Sequence, residues 1–237
     1  MPKVGKLYVV ATPIGNLEDI TLRALRVLKE VDLILCEDTR VAKKLLGRYD
    51  IKKPLVSYHH HSKISKADFV KNELKRGKSL ALVSDAGTPG ISDPGNELIK
   101  HIARNTEHLW KFGLRSGNRI SIIPIPGPSA LTAIASVAGI NMSRFVFLGF
   151  APHKKGREKF FREVAEIKYP VVYHESPYRL LKNLELLAKF RSDANLIIGR
   201  ELTKIFEEVL RGGVKEVLKY FQDSRTKIKG EFTIVIY

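Results

Sequence analysis

The 237-residue sequence lacks several features that define large classes of protein. It has one cysteine, Cys36, which excludes an intrachain disulfide and a cysteine-rich metal cluster and favours a reducing, cytoplasmic setting. Cys36 lies in an apolar run and is expected to be a small buried side chain. No apolar run approaches the roughly 18 residues that a membrane span needs, and the N-terminal stretch is too soon interrupted for a signal peptide. We therefore expect a soluble protein without a membrane partner.

Two common phosphate-binding motifs are also missing. The segment VVATPIGN (9–16) has one glycine where a dinucleotide-binding turn would carry G-x-G-x-x-G, and G-x-x-x-x-G-K-[ST] does not occur. Acidic charge is scarce as well, since 41 Lys and Arg oppose 25 Asp and Glu, a formal net charge of +16. This excess favours a polyanionic partner such as RNA or DNA, although a lysine-rich proteome would produce it too.

What the sequence does have is a regular alternation of apolar, β-branched runs with helical patterns. In the first half, the runs that read as strands are 6–12, 32–38, 54–59 and 79–85. The segments between them carry apolar residues at helical spacing, as in DITLRALRVLKEV (19–31). This rhythm predicts βαβ units, a mostly parallel sheet and an α/β fold.

The alternation breaks at residues 106–118, which show no clear period. We therefore predict two α/β domains, residues 1–117 with a mostly parallel sheet and residues 118–237 with a mixed sheet. In the second half, strands are expected at 145–150, 171–175 and 195–199, with helices at 157–167 and 178–190. The segments EEVLRGG and GEFTIVIY are expected to form a hairpin-like pair that closes the second sheet.

The segment LVSDAGTPGISDPG (82–95) is the most distinctive loop. It follows a strand, and ligands in open α/β sheets bind beyond the carboxyl ends of the strands. Asp85 and Asp93 would repel a phosphate but suit hydroxyls, amides or a cation, which are features of S-adenosylmethionine. The alternative is that the two aspartates cap turns and helix starts. The loop alone favours the capping role for Asp93 and leaves Asp85 open.

Other loops permit both a functional and a structural interpretation. In PIPGPSA (124–130), Ser129 suits a helix cap or a ligand contact. His59–His61 point to alternate sides of an extended chain, so at most two share a metal; we predict no metal site and a surface or substrate-facing loop. EDTR (37–40), ESPYR (175–179) and RELTKIFEE (200–208) suit ion pairs or acid–base work equally. The basic segment APHKKGREK (151–159) suits a solvated loop or phosphate contact.

Seven segments, in order along almost the whole chain, together resemble the ribosomal RNA small-subunit methyltransferase I family, the RNA-directed branch of the tetrapyrrole methylase superfamily. They are VVATPIGNLEDITLRAL, CEDTR, VSDAGTPGISDPG, PIPGPSA, YHESPYRL, RELTK and KGEF. The resemblance implies two α/β domains with S-adenosylmethionine folded in the cleft between them, usually in a homodimer. It also implies methylation of the ribose 2′-hydroxyl of a cytidine in the decoding region of small-subunit ribosomal RNA.

The resemblance carries over a set of cofactor contacts, motif by motif. They are Pro13, Asp85, Thr88, Gly90, Ile91, Ser129, Ala130, Tyr173, His174, Glu201, Leu202 and Gly230. From motif location, Glu175 is a candidate base, and Lys204 and Arg200 are candidate electrostatic helpers. The candidate contacts with RNA phosphates are Arg40, Lys154, Lys155, Arg157 and Arg179.

Two other functions remain open at this point. The first is methylation of a small molecule of the tetrapyrrole type. Enzymes of that type have a glycine-rich first loop, and the presence of ATPIGN at this position argues against this function. The second is a non-enzymatic RNA-binding or ribosome-assembly protein that has lost the cofactor. The intact Gly/Pro loops at 85–95 and 126–130 argue against it.

Overall fold

The computed structural model describes residues 5–58, 64–104, 120–224 and 228–237. Within these ranges the chain forms two compact units, and the first ends at Ser129. Residues 106–118 and His59–His61, singled out above, lie outside the described residues. In the part of the chain that is described, no helix has the length and apolar character required to cross a membrane.

The first unit contains a five-stranded sheet in the order β3-β2-β4-β1-β5, and every neighbouring pair is parallel. Its elements are β1 (Lys6–Val10), a 3₁₀ turn (Leu17–Asp19), α1 (Leu22–Glu30), β2 (Leu33–Cys36), α2 (Thr39–Arg48), β3 (Leu55–Ser57), α3 (Ile64–Lys75), β4 (Ser79–Leu82), α4 (Gly95–Arg104) and β5 (Ser121–Ile125).

Helices cover both faces of this sheet, which explains why its strands are apolar throughout. Along β2, Ile34 and Cys36 join the core formed with α1 and α2, whereas Leu33 and Leu35 join the core formed with α3 and α4. Successive side chains of a strand point to opposite faces, so a strand covered on both sides needs apolar residues at every position. The five carboxyl ends meet at one edge, where the loops of interest lie.

The second unit contains a mixed sheet in the order β6-β7-β10-β8-β9. β6 and β7 are parallel, and β10 is antiparallel to both β7 and β8. The elements are α5 (Ala130–Val137), β6 (Val146–Phe150), α6 (Arg157–Glu166), β7 (Val171–Glu175), α7 (Leu180–Phe190), β8 (Asn195–Arg200), β9 (Glu208–Gly213), α8 (Val214–Asp223) and β10 (Phe232–Ile236). Its main core combines β7, β8 and β10 with α6, α7 and α8.

Two details differ from the expectations. The predicted boundary at 117/118 is displaced to the end of Ser129, because β5 pairs with β1 from Lys6↔Ser121 to Val10↔Ile125 and so completes the first sheet. The expected hairpin of β9 with β10 does not form either, because β8 lies between them and pairs with each. The α/β class of both units and the mixed second sheet are as predicted.

Candidate cofactor and substrate site

At the carboxyl edge of the first sheet, the turns after β1 and β4 are joined by main-chain hydrogen bonds. The N–H of Thr12 donates to the carbonyl of Gly87 at 2.9 Å, and the N–H of Gly87 donates back to Thr12 at 3.0 Å. The Thr12 hydroxyl, which is buried, also donates to the carbonyl of Ser84 at 3.2 Å. These three hydrogen bonds therefore hold the loop after β4 against the end of β1.

The same loop is tied to the turn after β5. The hydroxyl of Thr88 donates to the carbonyl of Pro128 at 3.1 Å. Gly87 has φ +81°, a left-handed conformation that favours glycine, and a Cβ there would lie 3.3 Å from Ile14 Cγ2 and 3.8 Å from the Pro128 carbonyl. Glycine is thus favoured at this buried position, where three turns converge.

Asp93 has the capping role that the sequence favoured. Both of its carboxylate oxygens lie 2.8 Å from the Gly90 N–H, and Oδ1 accepts from the Gly95 N–H at 2.7 Å, at the start of α4. Asn96 Nδ2 donates to the Gly90 carbonyl at 2.6 Å. These bonds shape the loop around Gly90, whose φ is +90°.

Asp85 differs from Asp93 because it is exposed beyond the strand ends. Its Oδ1 accepts from the Asp38 N–H at 3.0 Å, which links the turns after β2 and β4. The pKa of Cys36 is raised to about 11, chiefly by burial and also by the negative charges of Asp85, Asp38 and Glu37. Three carboxylates therefore lie at this edge against the guanidinium of Arg40, which is paired with Asp38, and this balance disfavours a phosphate and favours a cation.

Of the predicted cofactor contacts, the first unit brings one group together at this edge. Pro13 is buried directly after Thr12, Thr88 and Gly90 lie in the loop that Gly87 anchors, and Ile91 is partly exposed. Ser129 is buried at the end of the turn after β5, and Ala130 begins α5 in the second unit.

The second group of predicted contacts lies at one edge of the second sheet. The register aligns Glu175 at the end of β7 with Phe232 of β10, and Phe232 with Arg200 at the end of β8. His174 is paired with Phe150, at the end of β6. The carboxyl ends of β6, β7 and β8 therefore lie side by side with the amino end of β10.

Tyr173 and His174 face in different directions because they are neighbours on a strand. The Tyr173 ring is fully buried against Phe160 and Phe161, so its side chain belongs to the core of the second unit. His174 contacts Phe147 and Phe150, and its Nδ1 lies 3.1 Å from the Thr233 hydroxyl. Burial lowers the pKa of His174 more strongly than the negative charge of Glu231 raises it, and the lowered pKa favours a neutral imidazole.

Glu175, the candidate base, is buried and its carboxylate is occupied. Oε1 accepts from the Ser176 N–H at 2.7 Å and lies 2.9 Å from Arg179 Nε, while Oε2 accepts from Asn183 Nδ2. Burial raises its pKa more strongly than these donors lower it. Arg179 also donates to the Ala151 carbonyl at 2.9 Å. The arrangement joins the ends of β6 and β7 to α7, and it leaves no carboxylate oxygen turned toward solvent.

Lys204 and Glu201 form an ion-paired cluster in the β8–β9 connection. Lys204 Nζ lies 2.8 Å from Glu201 Oε1 and 2.9 Å from Glu231 Oε2. Burial acts to lower the pKa of Lys204, but its two carboxylate partners outweigh burial and raise it. Arg200 is similarly engaged, with Glu208 at 3.4 Å and the Lys229 carbonyl at 3.1 Å. Leu202 is buried beside this cluster.

The five candidate RNA contacts fall into two kinds. Arg40 is exposed but bound to Asp38 through a 2.6 Å ion pair, which holds the pKa of Asp38 at about 2. Arg157 donates to carbonyls of its own loop, and Arg179 is the partner of Glu175 described above. Lys154 and Lys155 are exposed, and no hydrogen bond or ion pair to another described residue holds them.

Several residues of these networks were not singled out from the sequence. Thr12 and Ser84 are the buried hydroxyls that fix Gly87, and Ser84 Oγ donates to its carbonyl at 3.3 Å. Asn183 and Thr233 hold Glu175 and His174 from 8 and 59 residues away. Thr12 and Ser84 carried a usable signal, since each is a hydroxyl at the end of an apolar strand.

Comparison with known proteins gives the sequence-level relationships of the chain. Residues 6–218 match the family model of the Tetrapyrrole (Corrin/Porphyrin) Methylases. The chain is 43% identical over 233 residues to the Ribosomal RNA small subunit methyltransferase I of Thermotoga maritima, which covers 98% of both proteins. It is 40% identical to the protein of the same name from Bacillus subtilis, over 98% of this chain and 75% of that protein.

Solved structures resemble the chain in fold. A cobalt precorrin-4 methyltransferase of cobalamin biosynthesis superposes with a TM-score of 0.68 and 18% identity, covering 97% of this chain and 94% of its own. A uroporphyrin-III C-methyltransferase from Thermus thermophilus, solved with S-adenosyl homocysteine, has a TM-score of 0.61 and 17% identity, with coverages of 98% and 97%. At these identities the likeness establishes the shared fold, and the predicted fold class is confirmed.

Proposed function

Because the chain belongs to the tetrapyrrole methylase family, and within it to the ribosomal RNA small subunit methyltransferases I, we propose that it uses S-adenosylmethionine to methylate RNA of the small ribosomal subunit. The chain is a methyltransferase by this membership. The finer assignment is the ribose 2′-hydroxyl of a cytidine in the decoding region, as the sequence resemblance implied. The predicted homodimer and cytoplasmic location stay predictions.

The observation that carries the choice of cofactor is the edge of the first sheet. Main-chain hydrogen bonds between Thr12 and Gly87 join its turns, Thr88 ties them to the turn after β5, and Asp85 places an exposed carboxylate there. Main-chain polar groups next to a carboxylate suit a ligand that has hydroxyl groups and a positive charge, as S-adenosylmethionine does. S-adenosylmethionine, when bound, supplies a methyl group on a positively charged sulfur. The role of the chain is then to hold the donor and the ribose oxygen in line.

In the second unit, the candidate catalytic residues have contacts that favour positioning. Glu175 is buried beneath Ser176, Asn183 and Arg179, so it fixes the turn after β7. Lys204 stays protonated, as its raised pKa indicates, but its charge is already balanced by Glu201 and Glu231, which weakens it as an electrostatic helper for a developing alkoxide. We assign Glu175, Lys204 and Arg200 the task of holding the strand ends and loops that carry the predicted cofactor contacts Tyr173, His174 and Leu202.

The RNA assignment is tested by incubating the protein with small ribosomal subunits that lack methylation and with isotope-labelled S-adenosylmethionine. Mass spectrometry of the RNA is expected to place the label on a ribose of the decoding region. Label on a base would refute the 2′-hydroxyl assignment. Binding of S-adenosylmethionine with methylation of a tetrapyrrole acid but not of RNA would favour the small-molecule alternative, and failure to bind it would favour the non-enzymatic one.

The proposed acidic environment of the cofactor is tested by Asp85→Asn. The amide oxygen keeps the hydrogen bond from Asp38 while the charge is lost. We expect the affinity for S-adenosylmethionine to fall roughly fivefold, as for the loss of about 1 kcal/mol of attraction. The affinity for S-adenosylhomocysteine, whose sulfur is neutral, should change less. Asp50→Asn, in the exposed turn just after α2, is the control. Equal losses for both ligands would show that Asp85 does not sense the sulfur charge.

A further inference from the structure

The structure assigns a second role to the carboxyl edge of the second sheet: we propose that Phe150, Tyr178 and Phe206 stack on unpaired nucleobases of the RNA substrate. The inference rests on the proposed function, because it names the surface by which the same site would select its RNA. It concerns single-stranded nucleotides next to the methylated one rather than the methyl transfer itself.

Topology places the three aromatic residues on one edge. Phe150 ends β6, Tyr178 follows the end of β7, and Phe206 lies in the connection after β8. Across the sheet, Phe150 of β6 pairs with His174 of β7, and the next residue of β7, Glu175, pairs with Phe232 of β10. Phe232 in turn pairs with Arg200 of β8. Three strand spacings of about 4.8 Å separate β6 from β8, so the row extends over roughly 14 Å.

These side chains are unusually open for large apolar groups. The exposed fraction is 93% for Tyr178, 71% for Phe206 and 55% for Phe150, and Ile205 beside Phe206 is 95% exposed. Neither burial nor a described core explains them, since all three aromatic residues lie outside the core of the second unit. Phe150 is nevertheless oriented, because its ring packs against His174 with centroids 5.2 Å apart. A ring that is held in place and still half exposed can stack on a base.

The charge at this edge indicates RNA as the occupant. Lys154 and Lys155 follow Phe150 within the same loop, are exposed, and have no ion-pair partner among the described residues. The whole chain carries a net charge of +16, so a second copy of it would bring like charge to these lysines. Aromatic rings interleaved with cations are the usual composition of single-strand binding surfaces, in which phosphates meet the cations and bases stack on the rings.

The experiment compares binding of a labelled single-stranded RNA oligonucleotide with binding of its fully paired duplex. Phe206→Leu and Tyr178→Leu keep an apolar side chain but remove the ring, and each is expected to weaken single-strand binding about tenfold. Duplex binding should change little. Phe206→Trp should retain the affinity, and the fluorescence of the introduced indole should be quenched when RNA is added. The matched control is Tyr169→Leu, an exposed tyrosine just before β7, at the opposite edge of the sheet.

Two results would overturn the stacking inference. One is unchanged single-strand affinity in both leucine variants. The other is loss of a dimer in sedimentation with RNA affinity intact, which would assign the rings to a contact between copies. Wild-type methylation of small subunits, measured in parallel, separates this inference from the proposed function. If the wild type methylates RNA and the leucine variants bind single-stranded RNA normally, the stacking inference is wrong and the proposed function stands. If the wild type does not methylate RNA but the leucine variants lose RNA binding, the proposed reaction is wrong and the stacking inference stands.

Discussion

At the scale of single residues, Glu175 shows how a carboxylate at a strand end becomes a structural group. Its oxygens accept from a main-chain N–H, an amide and a guanidinium, and the side chain is completely buried. A general base must reach the proton that it removes, directly or through one water. Since its carboxylate is already occupied, Glu175 is better suited to join β7 to α7 than to accept a proton from a ribose.

Substitution of Glu175 separates these two roles. We expect Glu175→Gln to retain methylation within a few-fold, because the amide oxygen still accepts from Ser176 and Arg179. Asn183 Oδ1 has no hydrogen-bond partner among the described residues. If the Asn183 amide flips, this oxygen can accept a hydrogen bond from Nε2 of the new glutamine. Glu175→Ala should lower the free energy of unfolding by about 3 kcal/mol, because Arg179 is then left largely buried without its partner. Turnover and chemical denaturation of both variants measure the two effects.

The pH dependence provides an independent check. Because burial raises the pKa of folded Glu175 above its usual value, its contribution to stability is full at low pH and is lost as pH rises through the folded pKa. Glu175→Gln does not ionise, so its stability relative to wild type should increase from pH 4.5 upward. A Gln variant that folds normally but loses turnover more than a hundredfold would restore Glu175 as the base.

At the scale of elements, the β8–β9 connection is a strained segment held by an ion-pair cluster. Glu201 has φ +49° and Thr203 has φ +69°, conformations that cost of order 1–3 kcal/mol each for residues other than glycine. Lys204, bound to Glu201 and Glu231, ties this segment to the start of β10. Gly230 has φ +85°, and a Cβ there would overlap with the Glu201 carboxyl group. The fit of Glu201 therefore depends on the absence of a side chain at residue 230.

Gly230→Ala should consequently destabilise the protein and displace Glu201. Its comparison is Gly139→Ala, because Gly139 also has positive φ, +71°, but a Cβ there would have no neighbour within 4 Å. We expect Gly139→Ala to cost about 1–2 kcal/mol from backbone strain alone and Gly230→Ala to cost clearly more. Gly230→Ala alone should also weaken S-adenosylmethionine binding, measured by calorimetry at a temperature where both variants are folded. Equal effects of the two substitutions would contradict a specific fit of Glu201 to Gly230.

Elements with a strong local pattern were predictable from the sequence, and long-range pairings were not. α6 and α7 were expected at 157–167 and 178–190 and occur at Arg157–Glu166 and Leu180–Phe190. β5 was assigned to the wrong unit because only its pairing with β1, over a hundred residues away, decides its sheet. α8 was missed although Val214, Val217 and Phe221 have helical spacing, because it follows β9 with no connecting residue. Glu216 marks its start by accepting from the Gly213 N–H at 3.0 Å.

The site shows the same division. The Gly/Pro loop at 85–95 and the capping role of Asp93 follow from local chemistry, and the structure places them as expected. The partners of His174 and Glu175 could not be predicted, because Thr233 and Asn183 reach them only through the packing of β10 and α7. The position of these loops at strand ends was predictable from the sequence, whereas the contacts of each side chain depend on neighbours that no local pattern specifies.

At the scale of the whole molecule, net charge and available charge are different quantities. The chain carries +16 in total, yet Arg40, Arg157 and Arg179 are bound to groups of the protein. A cation that is already paired must break that pair before it contacts a phosphate, so it contributes less to RNA affinity than its charge suggests. Lys154 and Lys155 have no such pair among the described residues and are the best placed of the five candidates.

The salt dependence of RNA affinity tests this distinction. Each phosphate contact on a single strand contributes about 0.7 to the slope of log K against log salt concentration, so Lys154→Ala/Lys155→Ala should reduce the slope by about 1.4. Lys168→Ala/Lys215→Ala also removes two exposed lysines, but these lie just before β7 and just after β9, at the opposite edge of the second sheet. If RNA responds only to total charge, the two double variants will lose affinity equally. If it binds at the edge that carries the aromatic residues, only the first will change the slope, and the measurement needs no knowledge of the methylated nucleotide.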